Sequence, residues 1–478
     1  MLFNSLPFAI FLPIVFTVYW VLPHKYRWVF LLISSYYFYM SWNAKYVFLI
    51  LFTTIVSYVM AIALERENNC SKKKAILIIS IVLCLGVLFF FKYYSFVGNS
   101  FVNLLGLFSI HLDPVTLNLI LPVGISFYTF QTLGYVIDVY NDKVPAEHHF
   151  GYFATFVSFF PQLVAGPIER TNNLLPQIKS RHYFDYEQAT YGLKLMAWGY
   201  YKKILIADAL AVYVRHVYDA PQQYAGFSLV LATVLFAVQI YCDFSGYSDI
   251  AIGTAKLLGI NLTTNFRSPY FSNSFKEFWG RWHISLSTWF RDYIYIPLGG
   301  NRVGKLKSAR NLLITFLASG LWHGANWTFV IWGGIHGVLQ ILEDAIVPGI
   351  NKKDPGHTAL RRLIVLALVT FAWIFFVSNS VDDAFYVISH MGEGIASPVS
   401  YVIRGIEEIG IDRDSIILIC GSILLLALYD YISLRKDVIE CISKCSVLVR
   451  WSIYVVFVLI VVFFSQKGIA AEFVYFQF

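Results

Sequence analysis

Long apolar stretches recur from one end of this 478-residue chain to the other, and that recurrence limits what it can fold into. Crossing a hydrocarbon core takes about 20 mostly apolar residues per helix. Candidate spans lie near 5–22, 28–42, 46–63, 75–97, 116–136, 188–213, 226–258, 310–345, 360–377, 415–433 and 447–465. A closed barrel is the other spanning solution, but its segments are roughly 10 residues long and alternate in polarity. These runs are too long and too uniformly apolar for that. Hydrophobic residues make up 58% and charged ones 14%, with mean hydropathy +0.62, so charge is too sparse to cover a soluble chain of this size. The expectation is an all-α, polytopic membrane protein with about 11–13 membrane helices, re-entrant and interfacial pieces included. It reads as one membrane domain, with N-terminal helices over 1–140, a core over 150–345, and C-terminal helices and tail over 346–478.

Charge placement gives a topology. Lys and Arg total 36 against 29 Asp and Glu, a net charge of +7. The basic residues sit in short loops beside apolar spans, as at His24–Arg27, Lys72–Lys74, Lys352–Lys353 and Arg361–Arg362, which is the positive-inside bias and not a nucleic-acid footprint. Placing those loops inside sends both termini outside. The acidic loop 379–414, with Asp382, Asp383, Glu407 and Glu408, then lies outside as well. Met1–Leu22 lacks a basic leader and a small-residue cleavage site and reads as a retained first helix. The six cysteines are scattered without a CxxC pair, so neither a metal nor a redox centre is expected.

Two regions depart from the pattern of simple crossings. Span 310–345 has basic residues at both ends and is broken by Ser319-Gly320-Leu321-Trp322-His323-Gly324-Ala325-Asn326, so it should enter, break and return. Irregular backbone at membrane depth is tolerated only inside protein or along a cavity. Between 260 and 310, aromatic and charged residues mix, as in Phe275-Lys276-Glu277-Phe278-Trp279-Gly280-Arg281-Trp282-His283. That mixture suits interfacial helices with Trp at headgroup depth.

The residues able to carry chemistry lie in those regions. His323 is an ionisable side chain within an apolar stretch, a functional hypothesis by default, and a desolvated neutral imidazole suits general-base work near pH 7; the alternative is a helix–helix hydrogen bond. His283 reads either as an active-site group or as a headgroup-level anchor. Arg281 and Arg291 read as lipid-facing anchors or phosphate ligands. Asp243, Ser245 and Asp249, within Tyr241–Asp249, must be paired or solvated, as structural groups or as the lining of a substrate path. Asn326 adds a polar group beside His323, while His336 reads as helix packing.

Taken together, the strings Met1–Ser5, Leu121–Tyr128, Gly166–Arg170, Tyr241–Asp249, Phe278–Gly300, Trp322-His323-Gly324 and Tyr475-Phe476-Gln477-Phe478 resemble the membrane-bound O-acyltransferase family, in particular its bacterial polysaccharide branch. The resemblance runs over nearly the whole chain. It implies a ring of helices around a central tunnel, joining a cytoplasmic donor mouth to an outer acceptor mouth in a bacterial cell membrane. It places the family's essential histidine on His323 and its second active-site position on His283. An Arg frequent in the family after Phe371–Phe376 is absent, since Val377 and Ser378 follow.

The implied donor is acetyl-CoA or an acyl-carrier thioester, no bound cofactor is expected, and the acceptor is a cell-surface polysaccharide. With no nucleophile elbow visible in this chain, an extracytoplasmic partner resembling SGNH hydrolases is expected to complete the transfer. Tyr475 is a candidate acyl relay, because an acylated phenol is a competent donor, with a leaving group of pKa about 10. The alternatives are D-alanyl transfer to teichoic acid and, in another class, a polysaccharide or lipid transporter.

Overall fold

The structure is a computed structural model that describes residues 1–113, 121–164, 166–346 and 355–464. The described residues are 77% helical with no strand among them, which bears out the all-α expectation. Chain contacts divide it into two units, Met1–Leu193 with Ala251–Thr263, and Lys194–Ile250 with Thr264–Phe478.

The first unit contains α1 (Leu6–Val21), α2 (His24–Met40), α3 (Val47–Arg66), α4 (Cys70–Leu88), α5 (Tyr94–Gly106), α6 (Ile125–Tyr140), α7 (Phe150–Ser158), α8 (Phe160–Leu163) and α9 (Thr171–Lys179). Caps fix the helix starts. The Ser5 hydroxyl accepts from Phe8 N before α1, and Asn69 Oδ1 accepts from Ser71 N and Lys72 N before α4. α3 packs on α4 and α6, and α2 packs on α7. Phe8, Phe11, Phe38 and Phe160 join their rings, with Phe11 edge-on to Phe160 at 5.2 Å. The Gly166–Arg170 motif serves as a clamp: buried Glu169 accepts from Asn173 Nδ2 at 2.6 Å and Thr263 Oγ1 at 3.2 Å. Burial holds its carboxyl above the usual carboxylate range.

α10 (Tyr186–Tyr200) and α12 (Phe227–Leu257) contribute residues to both units, and a π turn, Tyr201–Ala207, follows α10. The second unit adds α11 (Asp208–Tyr218), α13 (Phe275–Trp279), α14 (Ile284–Phe290), α15 (Lys305–His323), α16 (Trp327–Ile346) and α17 (Pro355–Val377). It continues with α18 (Val381–His390), α19 (Pro398–Ile409), α20 (Arg413–Ser433), α21 (Val438–Ser443) and α22 (Val447–Phe464). Its core is aromatic, with Trp282, Trp332 and Trp373 fully buried.

Among the described residues, six helices are long and apolar enough to cross a membrane: Ala44–Arg66, Cys70–Gly106, Phe227–Leu257, Trp327–Ile346, Thr358–Val377 and Arg413–Ser433. The chain is therefore a multi-pass membrane protein. The first two helices are short for a crossing. α1 has 16 residues and α2 has 17, or about 24 and 26 Å at 1.5 Å per residue, short of a hydrocarbon core of about 30 Å. The loop expected over 379–414 instead folds into α18 and α19. Ser380 caps α18 by accepting from Asp383 N, a local signal that the acidic composition obscured.

The break in span 310–345 is borne out: α15 ends at His323 and α16 begins at Trp327. In the 275–295 region the large aromatic side chains face protein. Trp279, Trp282, Trp289 and His283 are buried in the second unit, with Trp282 and His283 fully enclosed. Their neighbours are other aromatic rings, so these side chains pack against protein.

Candidate active site

The α15–α16 pair is built on glycine. Each helix carries Gly-x-x-x-Gly, Gly320 with Gly324 and Gly333 with Gly337, and in each a histidine precedes the second glycine. A Cβ at Gly320 would overlap the Phe329 carbonyl oxygen, and one at Gly333 would overlap that of Phe316. The two backbones can approach so closely only because neither position carries a side chain. Gly324 then meets the face of Phe329, where a Cβ would strike the ring. This seam fixes the end of α15, and so His323, against α16.

His323 is buried, 2% exposed, in an aromatic box. Its ring meets Trp322 and Trp332 edge-on, each at 5.0 Å, and Phe376 at 5.5 Å. The ring of His283 lies 6.4 Å away. Thus the two histidines singled out in the sequence, 40 residues apart, come together in one buried pocket of side chains.

His283 is placed by its backbone. It sits in left-handed conformation, φ 43° and ψ 53°, directly before α14. A residue with a Cβ pays about 1–3 kcal/mol for such geometry, which persists only where the surroundings over-determine it. Two backbone bonds do so: Ile284 N donates to Asn265 O at 2.9 Å, and Arg267 N donates to Arg281 O at 3.0 Å. Phe244 of α12 supports the imidazole edge-on at 4.5 Å. His283 Nδ1 lies 3.4 Å from Asn265 Oδ1. Full burial pushes the ring down to about 3, so it stays neutral.

The aspartates of α12 are structural partners of two lysines. Lys203 Nζ lies 2.8 Å from Asp208 Oδ1 and 2.6 Å from Asp243 Oδ1. Lys202 Nζ lies 2.7 Å from Asp249 Oδ2 and donates to Ser245 Oγ at 2.9 Å. Tyr241 adds a hydroxyl bond to Asp430 Oδ2 at 2.8 Å. The π turn sets consecutive lysines on this cluster, and α12 can carry it because 72% of its apolar window is buried. Sequence reasoning anticipated paired carboxylates and missed the partners. Two adjacent lysines inside an apolar span were the available signal.

Arg281 pairs with Glu277 at 2.7 Å and donates to Ser268 O at 3.4 Å, and Arg291 pairs with neighbouring Asp292 at 2.8 Å. Asn326 accepts from Thr328 N and donates to Asn379 O at 2.8 Å, joining the start of α16 to the end of α17. His336 is buried and stacks 6.1 Å from Phe278, consistent with packing. Tyr475 lies outside the described residues. A cavity of about 700 Å³ opens elsewhere in this unit, between α12, α17 and α20, and neither His283 nor His323 lines it.

His323, at the end of a glycine-built helical hairpin, and His283, before α14, lie together and buried within a multi-pass helical protein. Residues 143–382 match the membrane-bound O-acyltransferase family. The chain is 39% identical over 388 residues to the protein named probable alginate O-acetylase AlgI of Pseudomonas syringae pv. tomato, covering 80% of this chain and 74% of that protein. It is 34% identical over 424 residues to the peptidoglycan O-acetyltransferase of Helicobacter pylori, covering 82% and 80%. It is 30% identical over 313 residues to the teichoic acid D-alanyltransferase of Streptococcus thermophilus, covering 61% and 74%. The chain belongs to the membrane-bound O-acyltransferase family and is a membrane O-acyltransferase.

Proposed function

We propose that this protein takes an acetyl group from a cytoplasmic thioester, acetyl-CoA in the simplest case, for O-acetylation of a cell-surface polysaccharide. The observation that carries the reading is the buried pairing of His323 with His283, their rings 6.4 Å apart. Similarity to relatives named for O-acetylation of alginate and peptidoglycan favours acetyl over D-alanyl, since those relatives match more of the chain at higher identity.

In this reading His323 acts as general base. It takes the proton of an attacking hydroxyl as the oxygen bonds to the thioester carbon, a role worth about 10²–10⁴-fold. As the C–S bond breaks, the same proton passes to the leaving thiolate, which departs as a thiol. Burial serves this chemistry by excluding water, the competing nucleophile. His283, kept neutral, works as a hydrogen-bonding group. The family's tunnel, an extracytoplasmic partner resembling SGNH hydrolases and an acyl relay at Tyr475 complete the proposal. Orientation with both termini outside in a bacterial cell membrane belongs to it as well.

The test is thiol release by the purified protein in nanodiscs, given acetyl-CoA or a D-alanyl carrier-protein thioester. Release with acetyl-CoA supports the proposal. Release with the carrier thioester alone would move the assignment to D-alanyl transfer, and release with neither would favour a transporter. Deleting the last six residues should abolish acyl export, and normal export would remove Tyr475 from the scheme.

A further inference from the structure

We infer that Asn265 is a positioning residue that holds the proton of His283 on Nδ1, so that His283 presents Nε2 as a hydrogen-bond acceptor. The inference deepens the proposed function and rests on His283 belonging to the active site. It starts from which atom of the Asn265 amide faces the ring. A backbone N–H can only donate, and Ser285 N lies 3.2 Å from the Asn265 atom assigned as Oδ1. That atom must therefore be the oxygen. The Ser285 hydroxyl donates to the same oxygen at 2.7 Å, while Asn265 Nδ2 donates to Ser248 Oγ at 3.3 Å. With the amide pinned from both sides and fully buried, Asn265 cannot flip to offer its nitrogen.

His283 Nδ1 faces that same oxygen. An oxygen without a proton can only accept, so Nδ1 carries the hydrogen and the neutral ring keeps its lone pair on Nε2. A neutral His283 therefore has no proton to offer from Nε2. A role as donor to a developing oxyanion would require the imidazolium, in a pocket whose walls disfavour charge. The part left to it is acceptance, orienting the hydroxyl of the incoming nucleophile or of a bound water by taking its hydrogen. The bond also explains the strained backbone of His283: the left-handed turn brings residues 283–285 around the single side chain of Asn265. Ser248 adds the last part of the Tyr241–Asp249 string to the site, as the residue that orients the orienter.

Among the described residues, the rings of His323 and Trp322 of α15 and of Phe244 and Phe266 face His283, together with the Asn265 amide. Asn265→Asp keeps an acceptor at Nδ1 but adds a negative charge, which favours the imidazolium. Whatever its rate at high pH, acyl transfer by the variant should fall off earlier on the acid side, moving the acid limb of the pH profile up by about one unit or more. A profile that does not move at all overturns the inference.

The direct test is ¹⁵N NMR of histidine-labelled wild-type protein in nanodiscs at pH 7, with the His283 signal assigned through His283→Gln. A protonated Nδ1 with an unprotonated Nε2 is expected, and Ser285→Ala should leave it so. The opposite tautomer, or an imidazolium, overturns the inference without reference to activity. If the tautomer is as stated but His283→Ala transfers acyl groups at the wild-type rate, the placement of His283 in the active site fails and the tautomer assignment stands.

Discussion

A methyl group at Gly320 should damage catalysis out of proportion to its size. Its Cβ would overlap the Phe329 carbonyl oxygen and stand 3.3 Å from Gly333 Cα. Both contacts are backbone, so no rotamer change can relieve them, and α15 and α16 must part by about 1 Å to restore ordinary contact distances. Overpacking of this kind costs about 1–3 kcal/mol. The displaced segment carries His323 three residues on, and a misplacement of about 1 Å at a reacting group costs roughly 10²-fold in rate. Gly334→Ala is the matched control on the facing helix, since its Cβ meets only Leu317 Cδ2 at an ordinary 3.5 Å. It should be neutral or stabilising by about 0.5–1 kcal/mol, because alanine is the better helix former. Thermal unfolding in detergent and thiol release from acetyl-CoA would measure both variants. Equal behaviour of the two would refute the close-packed seam as what positions His323.

Three further outcomes follow from the buried charges and rings. Lys203→Met should destabilise by about 3–5 kcal/mol, because it strands Asp208 and Asp243 together, and adding Asp208→Asn and Asp243→Asn should recover much of the loss in the same melts. His283 contributes a share of the pH dependence that can be isolated: below about 6.5 the unfolded chain binds a proton there that the folded chain, held near 3, refuses, which costs about 1.4 kcal/mol at pH 5.5, and the stability change from pH 7.5 to 5.5 should differ by about that amount between wild type and His283→Gln. Tyr241→Phe should cost about 1–3 kcal/mol, since it leaves the Asp430 carboxylate without its hydroxyl donor, and melting of the variant checks it.

Much of the fold is legible in the sequence because the bilayer imposes a length rule, and the break at 319–326 was visible in its flanking charges and glycines. Apolar composition marked both N-terminal helices as spans, while their lengths of 16 and 17 residues fall short of a full crossing. In the 275–295 region, tryptophan beside charge left the packing undetermined, because such a mixture suits a membrane interface and also an aromatic core with its charges paired locally. Arg281 with Glu277 and Arg291 with Asp292 are pairs of the second kind. His323 stood out by itself as an ionisable group in an apolar stretch. Asn265, Lys202 and Lys203 did not, because their meaning lies in contacts with residues 18 to 47 positions away.

The central claim is that His323 performs chemistry and is not a packing residue. His336 provides the comparison, being an equally buried histidine in the matching position of the facing glycine motif. Thiol release from acetyl-CoA should be measured for His323→Ala and His336→Ala at matched folded fractions. The account predicts a loss of about 10²–10⁴-fold for His323→Ala and a rate within a few-fold of wild type for His336→Ala. Undiminished release from His323→Ala, or an equal loss in both, would contradict it.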